Sequence, residues 1–118
     1  MWFTRFVLIL AGLAMLSSTC QAADDRKLCG SNDVKVDRVI AACRRVVAAN
    51  PADLPAVVRL GEILREGKQY ADCVEVYSKA IDALANANPD PRVWPLFYAR
   101  GICYERSDHW DKAEADAQ

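Results

Sequence analysis

Cysteine and histidine are the residues of this chain with the most versatile chemistry, and their spacing does not favour a reactive site. The chain has five cysteines and one histidine, His109. No C-x-x-C arrangement occurs, so thioredoxin-like redox chemistry and haem attachment are not expected. Zinc needs paired ligands at short spacing, whereas the last four cysteines are 14, 30 and 30 residues apart. We therefore predict no metal and no cofactor.

The carboxylates and His109 do not form a predicted catalytic group either. A general base needs an orienting acid and a nucleophile beside it, and His109 falls in a predicted turn where Asp108 would act as a helix cap. Glu62 and Glu105 fall on helix faces, with nothing to indicate the cleft that paired glycosidase acids need. The common hydrolase, nucleotide-binding and metal-binding signatures are absent from the sequence. We interpret the chain as a non-enzyme, with a small thiol-dependent enzyme as a remote alternative.

Residues 1–23 have the features of a secretory signal peptide. Arg5 precedes an apolar run of eleven residues that ends in small residues. Because a membrane span needs about 20 residues, we expect cleavage after Ala22 or Ala23, no stable span afterwards, and a periplasmic or secreted product. Lipidation of Cys20 and retention of the leader as an anchor are the alternatives. The formal net charge is −1 and no basic stripe is present, so nucleic acid is not an expected partner.

The segment from Asp53 to Ile81 predicts two amphipathic helices joined by a turn at Gly67. A glycine inside a helix costs about 1 kcal/mol relative to alanine. We therefore expect Gly61 to lie where the backbone of a neighbouring helix comes too close for a side chain. The first helix has its apolar residues at i, i+3, i+4 and i+7, namely Val57, Leu60, Gly61 and Leu64.

The same pattern recurs at constant offsets. Gly61 precedes Cys73 by 12 residues, and Gly101 precedes Ala113 by 12. Val39 and Cys43 lie 34 residues before Cys73 and Tyr77. A period of 34 residues with an interior glycine, a small residue and an aromatic residue resembles the tetratricopeptide repeat, from about Asp37 to Gln118. Arg100 stands where that pattern has leucine. The positions assigned to repeat packing are Gly61, Cys73, Tyr77, Gly101, Tyr104 and Ala113.

The resemblance implies an all-α fold, a short right-handed solenoid of helix pairs. We expect about two and a half repeats over residues 36–118, with the last repeat incomplete, after an N-terminal tail at 24–35. The first helix would then lack a preceding partner. Sel1-like repeats, or an ordinary helical bundle with coincidental phasing, are the alternative folds.

Four cysteines, Cys29, Cys43, Cys73 and Cys103, remain if Cys20 leaves with the signal peptide. An even number in an exported chain favours disulfides, and four cysteines allow three connectivities. We prefer Cys29–Cys43, which would pin the N-terminal tail over the first helix, and Cys73–Cys103, on helices that a repeat stack packs together. The alternative is that Cys73 and Cys103 are free, buried core residues.

In the resembled family the first helix of each repeat lines a concave groove. The residues that would face it here are Val58, Glu62, Arg65, Tyr98, Ile102 and Glu105. The resemblance thus implies a protein–protein interaction scaffold that binds a peptide or a partner protein. Together with the predicted leader, alanine-rich segments similar to those of exported repeat proteins of Gram-negative bacteria indicate the bacterial cell envelope. A shortened repeat protein without a partner is the alternative. Nothing in the sequence caps the last helix, so we also consider self-association through that helix.

Overall fold

The computed structural model describes residues 19–86 and 90–118. Most of the predicted signal peptide therefore lies outside the described residues. Residues 19–29 are helical and are called α1. The following helices are α2 (Val36–Ala49), α3 (Leu54–Glu66), α4 (Tyr70–Ala85), α5 (Val93–Arg106) and α6 (Trp110–Ala117).

Each helix from α2 onward packs against the next helix in the chain. The six helices follow one another as antiparallel pairs, in the manner of a short helical repeat, which confirms the predicted all-α fold class. The boundaries follow local chemistry. The Asp53 side chain accepts a hydrogen bond from the Ala56 amide at 3.4 Å, which caps α3, and Pro55 occupies the first turn. Asn50 and Pro51 end α2, because the residue before proline avoids helical geometry.

Helix α1 differs from the sequence expectation, because residues 24–29 are helical where we predicted a tail. Their apolar stripe is short, and an ion pair between a buried aspartate and a half-exposed arginine supplies part of the docking instead. The Asp25 side chain is 7% exposed, and its Oδ1 lies 2.8 Å from Nη2 of Arg45 on α2. This hydrogen-bonded pair lowers the pKa of Asp25. The described residues therefore contain six helices packed in sequence as pairs, and α1 is joined to α2, the helix that we predicted to lack a preceding partner.

The core follows the 34-residue period. Val39, Cys43 and Val46 of α2 are buried, and so are the residues 34 positions later, Cys73, Tyr77 and Ala80 of α4. Leu60 and Leu64 of α3 lie completely buried between these two helices. The positions that repeat in sequence are thus the positions that leave solvent on folding, and this burial is the main source of stability.

The two repeat glycines have different surroundings. Gly61 is buried, and a Cβ built on it would overlap the ring of Tyr77. A side chain of the paired helix, rather than the backbone that we expected, therefore requires the glycine. Gly101 is half-buried, and a Cβ there would have its nearest neighbour at 3.5 Å, the Cβ of Asp116, an ordinary contact. Tyr77 follows Gly61 by 16 residues, and the residue 16 positions after Gly101 is Ala117. Since alanine has no ring, the space beside Gly101 is not filled by an aromatic side chain.

Candidate functional site

The four inner cysteines form two disulfides, in the pairing preferred from the sequence. Cys29–Cys43 joins α1 to α2 with 4.7 Å between the Cα atoms, and Cys73–Cys103 joins α4 to α5 with 6.3 Å. All four cysteines are buried. Cys20 is free and exposed. Two disulfides are typical of an oxidising, extracytoplasmic compartment, and the bonded cysteines have no thiol to offer for catalysis.

His109 is exposed and sits at the N-terminal end of α6. Its Nδ1 lies 2.8 Å from the backbone oxygen of Ser107, and its ring centroid lies 6.3 Å from that of Tyr104. No carboxylate orients the imidazole among its hydrogen bonds. Within residues 19–86 and 90–118, no cluster of three or more His, Cys, Asp or Glu side chains has the geometry to hold a metal ion. In this turn the ring can interact with the local backbone and with Tyr104.

The six predicted contact residues divide between α3 and α5. On α3, Val58 and Glu62 are exposed and Arg65 is half-buried. On α5, Tyr98 is 72% exposed, Glu105 is exposed and Ile102 is half-buried. Four of the six side chains are therefore exposed and two are half-buried, and their role in binding stays a prediction.

The structure brings the α5 members of this set together in one cleft. The cleft has a volume of about 120 Å³ and lies between α5 and α6. Its walls are mainly apolar. Val58, Glu62 and Arg65 are not among its lining residues, which are Phe97, Tyr98, Gly101, Ile102, Glu105, Ala113, Asp116 and Ala117.

An ion pair that sequence reasoning missed holds this cleft in shape. Arg100 on α5 donates from Nε and Nη2 to the two carboxylate oxygens of Asp116 on α6, at 2.8 and 2.6 Å. Its Nη1 donates to Ser78 of α4 at 3.1 Å. The guanidinium also lies over the rings of Phe97 and Tyr104. The Asp116 contact raises the pKa of Arg100. The signal in the sequence was the charged residue at a position where the repeat pattern has leucine.

The remaining repeat-packing positions are less buried toward the C-terminus. Cys73 and Tyr77 are buried, whereas Tyr104 and Ala113 are half-buried. Helix α6 has no buried residue, so its attachment to α5 depends on Arg100 and on partly exposed contacts. This end of the structure also carries three exposed aromatic side chains, Trp94, Tyr98 and Trp110.

Comparison with known proteins gives one weak similarity. The chain is 27% identical over 77 residues to the general transcriptional corepressor ssn6 of Schizosaccharomyces pombe. The match covers 65% of this chain and 6% of that protein. No family model matches the chain, and no solved structure matches it significantly. The arrangement of helices is consistent with tetratricopeptide-like repeats, and no enzyme family is detected. In the described part of the chain, no helix is both long enough and apolar enough to cross a membrane.

Proposed function

We propose that this chain is a non-enzymatic protein–protein interaction scaffold of the bacterial cell envelope, periplasmic or secreted. It would bind a peptide or a segment of a partner protein across the exposed faces of α3 and α5. The main observation is that these helices, the first members of successive pairs, carry exposed apolar side chains away from their buried faces. Tyr98 is 72% exposed and Val58 is 39% exposed.

Two further observations support this proposal. An exposed aromatic residue beside an apolar cleft is typical of protein recognition, since tyrosine contributes a large contact area with few rotatable bonds. The disulfides join α1 to α2 and α4 to α5. Such cross-links restrict relative motion of the helices and lower the entropy lost when a partner binds. They also agree with an exported product, with lipidation at Cys20 as the less favoured alternative.

A cross-linking experiment tests the proposal. A photoreactive residue introduced at position 98 of the full chain, expressed with its leader, would be cross-linked in the periplasmic fraction and the adducts identified. Glu62→Ala/Tyr98→Ala should recover less of the same partner in a pull-down. The matched control is Glu75→Ala/Lys79→Ala, which removes an exposed ion pair from α4. Equal partner recovery by both double variants would eliminate the α3–α5 surface.

The cross-linked species also separates a partner from self-association. An adduct with twice the mass of the chain, together with a dimer in sedimentation, would replace the peptide-binding proposal with dimerisation through the α5–α6 end. A monomer at high concentration would exclude the dimer.

A further inference from the structure

A second cleft lies at the opposite end of the structure, between α1 and α3. It has a volume of about 350 Å³ and is mainly apolar, with buried Cys29, Val46 and Ala56 in its walls. None of the six proposed contact residues lines it. Its lining residues are Arg26, Cys29, Gly30, Val46, Asp53, Pro55, Ala56 and Arg59.

Arginine contacts join the segments on either side of this α1–α3 cleft. Nη2 of Arg26 lies 3.0 Å from Oδ2 of Asp53. Nη2 of Arg59 donates to the Ser31 carbonyl at 3.1 Å and to Oδ1 of Asn32 at 2.9 Å. The cleft has the volume of one or two side chains.

Some N–H groups of the arginines around the cleft have no hydrogen-bond acceptor. Nε of Arg59 is buried and has no hydrogen-bond partner among the described residues. A buried donor without an acceptor is unfavourable and unusual in folded proteins. The Arg26 side chain is 65% exposed, and its contact with Asp53 uses one of its nitrogens. Asp53, the one carboxylate in the lining, already caps α3 and pairs with Arg26.

This combination defines the ligand. The apolar walls favour an apolar side chain. Two guanidinium groups against one engaged carboxylate leave net positive charge at the rim, and arginine pairs with carboxylates through charged hydrogen bonds. We propose that the α1–α3 cleft binds a peptide in which an apolar residue stands next to an aspartate or glutamate. The apolar side chain fills the cleft and the neighbouring carboxylate contacts Arg26 and Arg59. This site does not depend on the α3–α5 surface.

The test is a titration of the ¹⁵N-labelled mature protein, from which the predicted leader has been removed, with short peptides blocked at both ends. One peptide carries leucine followed by aspartate, a second leucine followed by asparagine, and a third alanine followed by aspartate. The aspartate peptide with leucine should shift the Nε–H signal of Arg59 and the amide of Gly30. Replacing aspartate by asparagine, or leucine by alanine, should weaken binding about tenfold. Equal shifts with the first two peptides, or no shift with any of them, would overturn the proposal.

Two variants test the site independently. Arg59→Gln should weaken binding of the leucine–aspartate peptide about tenfold, and Arg106→Gln, an exposed arginine on α5, is the matched control. Gly30→Trp should block the mouth of the cleft. A Cβ at Gly30 meets only ordinary contacts at 3.7 and 3.8 Å, so the backbone there admits the first atom of a side chain. Retention of wild-type affinity by Gly30→Trp would place the ligand elsewhere, even if Arg59→Gln failed to fold.

Discussion

The ring of Tyr77 occupies the space that a side chain on residue 61 would need. Gly61→Ala should therefore destabilise the protein, because overpacking costs about 1–3 kcal/mol and exceeds the gain in helix propensity of about 1 kcal/mol. Gly101→Ala is the matched variant. It meets only ordinary contacts and should stabilise by up to about 1 kcal/mol. Urea unfolding monitored by circular dichroism measures the free energy of unfolding of each variant. If both substitutions change it in the same direction, this account of the two glycines is contradicted.

Tyr77 also gives the protein a pH dependence at high pH. Burial, and next the nearby Glu62 charge, raise the pKa of Tyr77 from 10.0 to about 12. In the unfolded chain the phenol loses its proton near pH 10. The stabilisation by neutral Tyr77 is therefore complete below pH 10 and disappears as the pH rises to 12, a loss on the order of 2–3 kcal/mol. Tyr77→Phe should lose less stability over this interval. Urea unfolding of the wild type and of Tyr77→Phe at several pH values gives the free energy of unfolding as a function of pH. The same pH dependence in both proteins would refute the prediction.

The Arg100–Asp116 pair should control the attachment of α6. The two side chains are 17% and 7% exposed, so Asp116→Ala leaves a largely shielded guanidinium without its carboxylate, which is costly. We expect faster amide hydrogen exchange throughout α6, with little change in α2, α3 and α4. Asp111→Ala, an exposed acid of the same helix, is the control. If the two variants exchange alike, the pair does not hold the helix.

Each disulfide should contribute measurably to stability. By loop entropy, closing 14 residues is worth about 3 kcal/mol and closing 30 about 3.5 kcal/mol. Cys29→Ala/Cys43→Ala and Cys73→Ala/Cys103→Ala should each lower the free energy of unfolding by amounts of this order. Peptide mapping under non-reducing conditions establishes the pairing first. Four free thiols in the exported protein would remove the basis for both values.

The sequence predicted the parts of the fold that depend on local rules. The turn at Gly67 and the helix pair that begins at Asp53 were predicted, since glycine and a capping carboxylate act on their own backbone. The 34-residue spacing found the α2 and α4 core, since burial follows periodicity.

The sequence did not predict helix α1, the cleft between α5 and α6, or the α1–α3 cleft. These features depend on pairs such as Asp25–Arg45 and Arg100–Asp116, whose members are 20 and 16 residues apart. Such partners become neighbours only after the helices pack. For the candidate site, the exposure of Tyr98 was predicted from the repeat pattern. The α1–α3 cleft could be found only from the positions of the helices in the structure.

The placement of the two disulfides has a mechanical consequence. One spans Cys29 to Cys43 and the other Cys73 to Cys103, so the 30-residue interval between Cys43 and Cys73 carries no covalent bridge. A pulling force on the two ends could stretch this interval to a total length of about 100 Å, while both bridged loops kept their length. Helix α3 lies within it and α6 lies beyond the second bridge, so tension would unfold these two helices while the bridged loops resist extension.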